Sequence, residues 1–319
     1  MSTNSSVLPA GRHRSGVTTR RRWGTRRTLT GWFAAALAAV AVAGFAGPAS
    51  ATTPMYIGSV DGGYQQMQAN TSGNIANHAY AQFSNGNVPN TRMITVAAGS
   101  ASWRSVANAG PGSTLYNQIV HWAQTIKARG GHVMVAYNHE PEASAGGQHG
   151  SAADFIAAYR HVESIFDKVG AKNVEWTWQM TAWAFRTKPS SSQYAAKWYP
   201  GDAWVDNVGA DAYNWNTCGV GSGKYNELKV LGDPVLAFAR AHHKAASFPE
   251  FASNRDAQRP QWIRNAHQYF LANQDVLSAA FYFNRPPTVK ANGDCKWALS
   301  SNADFQAFQE IVNDKHFTS

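Results

Sequence analysis

Short apolar segments alternate with helix-like segments along residues 52–319, and this alternation constrains the fold more than any other feature. Runs of four to eight residues rich in Val, Ile, Phe, Tyr and Trp are typical of buried strands. Eight such runs occur, at residues 55–60, 78–83, 93–96, 132–137, 174–178, 205–210, 245–248 and 279–283. Strands separated by helices pair in parallel, so eight of them within one mature chain predict a single (β/α)8 TIM barrel.

The segments between the predicted strands carry helix signals. Helices are predicted over residues 114–129, 151–169, 233–243 and 259–274. Ser151 and Gly170 are suited to cap the two ends of the second helix. Asp233 followed by Pro234 predicts that the third helix begins there, because proline is favoured at the first helical position. The weakest helix signal lies in 64–76, which is polar and interrupted by a glycine.

The first 51 residues resemble an export signal. They contain seven Arg and no acidic residue, then an Ala-rich apolar run at 31–46 and the small residues of 47–51. A basic start, a short apolar core and a small-residue cleavage site are typical of secretory leaders, and the apolar run is short for a membrane span. We therefore expect residues 1–51 to be a signal peptide for Sec or twin-arginine export, and residues 52–319 to be a secreted domain. An uncleaved leader would instead anchor a structural protein at the cell surface.

The net charge of +9 is concentrated in this leader. Without its seven Arg, residues 52–319 contain 21 basic and 19 acidic side chains, so the domain is nearly neutral. A nearly neutral domain gives no reason to expect a nucleic-acid partner. The chain lacks the His-Glu-x-x-His, Walker and Gly-x-Gly-x-x-Gly motifs, so we expect neither a metal ion nor an organic cofactor. We also expect a monomer that does not associate with membranes once the leader is removed.

Cys218 and Cys295 are the only two cysteines, and both lie in segments of loop-like composition. Outside the cytoplasm, two thiols in this setting are expected to pair, so we predict a Cys218–Cys295 disulfide. Two unrelated free thiols are the alternative.

Two glutamates follow apolar runs at the predicted carboxyl ends of strands, where barrel enzymes place their chemistry. Glu140 follows the fourth predicted strand and Glu250 follows the seventh. Two carboxyl groups whose surroundings separate their pKa values can divide the work of glycoside hydrolysis, and strands four and seven face each other across a barrel mouth. Taken singly, either glutamate is better explained as a solvated strand end that makes a local salt bridge.

Several segments in a fixed order carry a resemblance to a known family. They are His-Glu-Pro-Glu at 139–142, Ser-Ala-Ala-Asp-Phe at 151–155, Asn-Val-Glu-Trp-Thr-Trp at 173–178, Tyr-Pro-Gly-Asp-Ala-Trp at 199–204, Gly-Ala-Asp-Ala-Tyr-Asn-Trp at 209–215, Pro-Glu-Phe-Ala-Ser at 249–253 and Gln-Trp-Ile-Arg at 261–264. They are similar to segments of glycoside hydrolase family 26, over about residues 90–315, whereas 52–89 show no such likeness. The resemblance implies the fold of the retaining (β/α)8 glycosidases and makes residues 52–319 the catalytic domain.

The same resemblance implies roles for the matching residues. Glu140 corresponds to the acid/base and Glu250 to the nucleophile. His139 corresponds to a residue that holds the sugar at the cleavage subsite, and Tyr213 to one that hydrogen-bonds the nucleophile and keeps it ionised.

Three neighbours of these residues depart from the family pattern. Ala136 stands where many members have Arg, Ala252 stands where Gly is usual, and Pro141-Glu142 replace the usual residues after His-Glu. These changes retain both carboxyl groups, but they leave the substrate open.

Aromatic and amide side chains near the strand ends are candidate sugar contacts, because sugar rings stack on aromatic faces. The predicted substrate-binding residues are Asn138, His139, Trp178, Trp183, Tyr213 and Trp215. Trp178 alternates with Trp176 along a predicted strand, so packing in the core is the competing interpretation for both.

Together these features predict a secreted glycoside hydrolase whose partner is a polysaccharide. The expected activity is that of a retaining endo-β-glycanase, and β-1,4-mannan is the first substrate by family frequency. β-1,3-Xylan, mixed-linkage β-glucan and bacterial exopolysaccharides are alternative substrates. A carbohydrate-binding barrel that has lost turnover is the alternative function, and the sequence does not decide between endo and exo action.

Overall fold

Eight parallel strands form a closed barrel in the computed structural model, which describes residues 54–144, 149–219, 223–286 and 294–319. The strands are β1 (Met55–Val60), β2 (Ala76–Gln82), β3 (Met93–Ala97), β4 (Val133–Tyr137), β5 (Val174–Thr181), β6 (Asn207–Asn214), β7 (Ala245–Ser253) and β8 (Leu277–Tyr282). Each strand pairs with the next, and β1 pairs with both β8 and β2, which closes the circle. The predicted (β/α)8 barrel is confirmed.

Helices cover the outside of this barrel. They are α1 (Tyr64–Asn70), α2 (Trp103–Ala107), α3 (Thr114–Arg129), α4 (Ala152–Val169), α5 (Leu228–Ala241), α6 (Arg259–Leu271) and α7 (Asn302–Val312), with short 3-10 helices at Pro141–Ser144, Ala184–Arg186 and Ala195–Trp198. A capping box between Ser151 and Asp154 begins α4, and Gly170 in the left-handed conformation ends it, as predicted. The weakly marked first helix is present, but it ends at Asn70.

The start of α5 differs from the prediction. Asp233 and Pro234 do not begin the helix, which starts at Leu228 and contains Pro234 in its interior. The Asp233 carboxylate accepts hydrogen bonds from Lys229 Nζ (2.7 Å) and from the Tyr269 hydroxyl (3.0 Å) instead of capping the helix. The prediction is wrong because apolar residues on both sides of the proline are buried along one helix face, and tertiary packing of that face outweighs the local signal.

The main hydrophobic core lies between the barrel wall and the helices. Phe251 of β7 packs against Trp262 and Phe270 of α6, with ring centroids 6.2 and 5.4 Å apart. Two strands away, Trp176 of β5 packs against Phe166 of α4, with ring centroids 5.0 Å apart. Because burying an aromatic side chain of this size contributes roughly 2–3 kcal/mol, this layer holds the helices in place around the strands.

The inside of the barrel is polar in its upper part. His78 of β2 is hydrogen-bonded through Nδ1 to the Pro249 carbonyl (2.9 Å) and through Nε2 to the Thr95 hydroxyl (2.8 Å). The Thr95 hydroxyl lies 2.8 Å from Gln179 Oε1, and the Gln179 amide donates to both carboxylate oxygens of Asp211 at 2.9 Å. This chain of contacts crosses the barrel from β2 to β6 and fixes Asp211 below the mouth.

Cys218 and Cys295 form a disulfide with Cα atoms 5.1 Å apart, which confirms the predicted pairing. It joins the segment after β6 to the segment after β8 and closes a loop of 77 residues. A cross-link over a loop of this length stabilises the fold by about 4 kcal/mol in the chain-entropy model.

A short ninth strand, β9 (Phe317–Thr318), pairs with Met55 and Tyr56 at the start of β1. The start of β1 and the end of the chain's last strand therefore lie together at the amino-terminal end of the barrel.

The predicted leader, residues 1–51, lies outside the described residues. Within the ranges that are described, no helix is both long enough and apolar enough to cross a membrane.

Candidate active site

The candidate site lies at the carboxyl ends of the strands, around Glu140 and Glu250. Glu250 lies within β7, directly opposite Asp211 of β6 in the strand register. Around Pro249, the register of β7 shifts in its pairing with β6 and in its pairing with β8. Proline has no N–H to donate to a neighbouring strand, and irregularities of this kind change the direction in which nearby side chains point. Gly209 makes room for this feature, because a Cβ at Gly209 would come within 2.9 Å of the Pro249 ring.

Two tyrosines hold the Glu250 carboxylate from different strands. The Tyr80 hydroxyl donates a hydrogen bond to one carboxylate oxygen, and the Tyr213 hydroxyl donates to the other. Burial and the nearby carboxylates raise the pKa of both tyrosines well above the ordinary value, so both hydroxyls keep the protons that they donate. These two hydrogen bonds fix both carboxylate oxygens of Glu250 from opposite flanks.

Glu140 lies on a sharp turn rather than on a strand. Strand β4 ends at Tyr137, and both Asn138 (φ 49°) and Glu140 (φ 46°) adopt the left-handed conformation that non-glycine residues rarely take. Two hydrogen bonds hold this turn: the Glu140 N–H donates to the Gln179 carbonyl (3.0 Å), and Trp103 Nε1 donates to Asn138 Oδ1 (3.2 Å). The turn redirects the chain so that Glu140 reaches the mouth.

The surroundings of Glu140 favour its protonated form. Burial, followed by the negative charges of Glu250 and Glu142, raises the pKa of Glu140 from 4.5 to about 8, and a hydrogen bond with Asp211 opposes the shift. The pKa of Asp211 is also raised well above its ordinary value, first by burial and then by the charges of Glu250 and Glu140. Glu140, Asp211 and Glu250 thus form one coupled group of carboxyls, in which Glu250 alone has two tyrosine donors among the described residues.

Four of the predicted substrate-binding residues surround these carboxyls. The His139 ring meets the edge of the Tyr80 ring at 5.3 Å, and burial lowers the pKa of His139, so the imidazole is neutral at ordinary pH. Asn138 lies on the same turn, and Tyr213 contacts Glu250. Trp215 packs against Tyr213 at 5.9 Å.

Trp183 lies just beyond β5 and leaves 59% of its surface exposed, which is unusual for an indole. Exposed aromatic rings near a polar cleft need a reason, and stacking of a sugar ring is one. The Trp183 ring is therefore available for contacts outside the fold.

The prediction for Trp178 is corrected by the structure. Trp178 is fully buried, and its ring packs against Phe185, Tyr199 and Phe238 at 5.6, 4.9 and 5.5 Å. Phe238 belongs to α5, so Trp178 faces the helix layer and does not reach the mouth. Trp176 faces the same layer, which agrees with the core-packing interpretation of both residues.

Sequence reasoning missed Tyr80, Asp211 and Trp297. Trp297 is buried and packs against both Tyr213 (4.9 Å) and Trp215 (5.2 Å), so it supports the tyrosine that contacts Glu250. The sequence did indicate Asp211, because it lies two positions before Tyr213 on a strand, and residues two apart on a strand face the same side. The sequence gave no indication of Tyr80, since it lies in 52–89, outside the segments with family likeness.

Across the described parts of the chain, no three or more His, Cys, Asp or Glu side chains are grouped so that they could hold a metal ion.

A parallel (β/α)8 barrel with paired carboxyl groups at its carboxyl-terminal mouth is the architecture of the barrel glycoside hydrolases. The family model of glycosyl hydrolase family 26 matches residues 113–293, more than half of the chain. The chain therefore belongs to glycosyl hydrolase family 26, as the sequence predicts.

Individual relatives are distant. Endoglucanase H of Acetivibrio thermocellus is 26% identical over 160 residues, which are 50% of this chain and 17% of the relative. Beta-1,3-xylanase TXYA of a Vibrio species is 23% identical over 51% of this chain and 40% of the relative. The chain thus spans less than half the length of either curated relative.

Among solved structures, the catalytic domain of the Bacillus sp. JAMB-750 GH26 endo-beta-1,4-mannanase superposes with a TM-score of 0.54. Its identity is 14%, over 83% of this chain and 87% of that one. At this identity the likeness shows the fold alone.

Proposed function

We propose that the protein is a secreted, retaining endo-β-glycanase in which Glu140 is the acid/base and Glu250 the nucleophile. The active form would be the domain of residues 52–319, released after removal of the 1–51 leader. Family membership supports hydrolysis of glycosidic bonds, and the two glutamates at the mouth supply the groups that the reaction needs.

The observation that carries this proposal is the different surroundings of the two carboxyls. The pKa of Glu140 is raised to about 8, so at neutral pH it holds a proton that it can donate. Glu250 accepts hydrogen bonds from two tyrosines, which hold both of its oxygens in place at the mouth. One carboxyl is thus suited to donate a proton and the other is positioned to attack, which are the two roles that a retaining glycosidase needs.

In the proposed first step, Glu140 donates its proton to the glycosidic oxygen while a Glu250 oxygen attacks the anomeric carbon. The bond to the leaving sugar breaks and a glycosyl ester of Glu250 forms. In the second step, Glu140 removes a proton from a water molecule, which attacks the anomeric carbon and releases Glu250. Two inversions at that carbon restore the original configuration.

The neighbouring residues supply sugar contacts in this proposal. His139 and Asn138 lie on the acid/base turn, Trp215 flanks Tyr213, and Trp183 offers an exposed ring beyond β5. β-1,4-Mannan is the first polymer to test, followed by mixed-linkage β-glucan and β-1,3-xylan. The last two are included because the curated relatives carry endoglucanase and β-1,3-xylanase names.

The test is an assay of the purified secreted protein on these three polysaccharides. We expect new reducing ends together with a rapid fall in polymer length, which marks endo action, and proton NMR of the first products should show the β anomer. A first product of α configuration would contradict retention. Binding to a glycan gel without any cleavage would favour the binding-barrel alternative, and N-terminal sequencing of the secreted form tests removal of the leader.

A further inference from the structure

Glu142 is a buried carboxyl beside the proposed acid/base, and the mechanism above does not use it. It lies two residues after Glu140, in the 3-10 helix Pro141–Ser144, and only 1% of its surface is exposed. Its Oε1 accepts two hydrogen bonds from Thr181 at the end of β5, from the backbone N–H at 2.8 Å and from the hydroxyl at 2.6 Å. Glu142 therefore ties the turn that carries Glu140 to the neighbouring strand.

The second carboxyl oxygen of Glu142 makes the burial of this side chain unfavourable. Oε2 is buried and has no hydrogen-bond partner among the described residues. A buried carboxyl oxygen without a hydrogen-bond partner destabilises the folded state. An amide would keep the contact with Thr181 without a buried charge, so the acid itself needs an explanation.

The charge of Glu142 is one cause of the raised pKa of Glu140, after burial and the charge of Glu250. Glu250 lies on β7 and Asp211, which also interacts with Glu140, lies on β6, so Glu142 is the one of these carboxyls outside the barrel strands. Burial raises the pKa of Glu142 above its ordinary value, and the hydrogen bonds from Thr181 oppose that rise. The hydrogen bonds from Thr181 thus favour the charged form of this carboxyl.

Two other charged side chains on elements that pack against the turn bind partners elsewhere. Lys197, on the 3-10 helix that packs against the turn, donates to the Ser190 carbonyl (3.3 Å). Asp154, near the start of α4, pairs with Arg104 (3.1 Å). Neither contributes to the shift at Glu140.

We propose that Glu142 is a positioning residue, which holds the Glu140 turn on β5 and keeps a fixed negative charge beside the Glu140 carboxyl. This inference rests on the proposed function only in naming Glu140 as the acid/base. Its physical content is that removing the charge at residue 142 lets Glu140 lose its proton more easily.

The test measures Glu140 directly, without turnover. The chain contains seven glutamates, so protein labelled with 13C at the glutamate side-chain carboxyl carbons gives few signals, and Glu140→Gln assigns the Glu140 signal. In Glu142→Gln we expect the titration midpoint of Glu140 to fall by about one pH unit, because a like charge at close range is removed. Glu310→Gln, a change at an exposed ion pair on α7, is the matched control and should leave the midpoint unchanged.

A second variant covers the case in which Glu142→Gln does not fold. Thr181→Val removes the hydroxyl donor but leaves the acid, so Glu142 is less fully charged near neutral pH. The Glu140 midpoint should then move in the same direction by a smaller amount. A Glu140 midpoint that stays within 0.2 pH units, roughly the precision of such titrations, in folded Glu142→Gln would overturn the inference.

The outcomes for this inference and for the proposed function are distinguishable. If the midpoint falls but the natural protein cleaves no glycan, the inference about Glu142 holds and the proposed function fails. If the natural protein cleaves a panel polysaccharide and the midpoint does not move, the function holds and the inference fails.

Discussion

The two carboxyls at the mouth belong to regions that are built in different ways. The region around the proposed acid/base, here called the acid half, consists of residues 138–144 and Thr181. It is a turn with two residues in the left-handed conformation and a buried carboxyl, one oxygen of which has no partner among the described residues. The region around the proposed nucleophile, here called the nucleophile half, consists of Tyr80, Tyr213, Glu250 and Trp297 and is held by two tyrosine donors and packed rings. The comparison shows that one barrel gives its two carboxyls different surroundings. Burial and then negative neighbours raise the pKa of Glu140, whereas two tyrosine hydroxyls hold the carboxylate oxygens of Glu250.

The largest effect is expected from removing the proposed nucleophile. Glu250→Ala should lower kcat on polysaccharide by roughly 10⁴-fold or more, because in the proposed mechanism the glycosyl-enzyme forms on its carboxylate. Glu140→Ala should lower kcat by roughly 10²–10⁴-fold on polysaccharide. It should lower it far less on an aryl glycoside with an activated leaving group, which departs with little protonation.

Added azide distinguishes the two halves by stereochemistry. With Glu140→Ala, azide should attack the glycosyl-enzyme and give the β-glycosyl azide, whereas with Glu250→Ala it should attack the substrate directly and give the α-azide. NMR of the isolated azides identifies the anomers. Polysaccharide cleavage at the natural rate by both variants would place the chemistry elsewhere.

The next effect concerns the disulfide, which braces the nucleophile half. Cys295 lies two residues before Trp297, and Cys218 follows Trp215, so the cross-link secures both rings beside Tyr213. Replacing both cysteines with serine should lower the free energy of unfolding by about 4 kcal/mol. Urea unfolding measures this loss, and an equal unfolding midpoint in the natural protein and the variant would contradict it.

A smaller fall in kcat is expected when one of the two tyrosine hydroxyls that donate to Glu250 is removed. Tyr213→Phe and Tyr80→Phe should each lower kcat by roughly 10- to 100-fold, because each deletes one hydrogen bond to a charged group, worth about 1.5–3 kcal/mol. Tyr137→Phe is a control, since the Tyr137 hydroxyl is buried without a hydrogen-bond partner among the described residues. Steady-state kinetics at several pH values checks this, and unchanged kcat in both single variants would show that the donors do not act on the nucleophile.

The smallest expected effect is a gain in stability in the acid half. The pKa of Glu140 is raised from 4.5 to about 8, so between these pH values the folded protein retains a proton that the unfolded chain releases. The contribution of Glu140 to stability is therefore complete below about pH 4.5 and is lost as pH rises through about 8. The amide of Glu140→Gln does not titrate, so this variant does not lose stability as the pH rises. At pH 8 its free energy of unfolding should therefore exceed that of the natural protein by about 1–2 kcal/mol. Thermal unfolding at pH 5 and pH 8 tests this, and an equal difference at both pH values would contradict it.

The barrel could be predicted from the sequence because its strands are short, apolar and regularly spaced. The predicted helix at 114–129 matches α3 to the residue, since its ends are marked by local signals. The same pattern predicted both glutamates after strand ends. The structure has Glu140 on the turn after β4, whereas Glu250 lies inside β7, which extends to Ser253.

The parts that failed depend on distant contacts. Tyr80 donates to a carboxylate 170 residues away, and no local spacing encodes that pairing. Trp178 was misplaced because alternation along a strand shows which residues share a face but not which face is the barrel interior. The start of α5 was misplaced because burial of a helix face extends past a local cap signal.

The pairing of β9 with the start of β1 has a practical consequence for handling the protein. Both strands meet at the end of the barrel opposite the mouth, so a linker fused to either end of residues 54–319 would leave on that side. A protein immobilised through such a linker on a bead would present the barrel mouth outward, toward the surrounding solution. The same geometry suits fusion to a second module, since neither linker would cross the mouth.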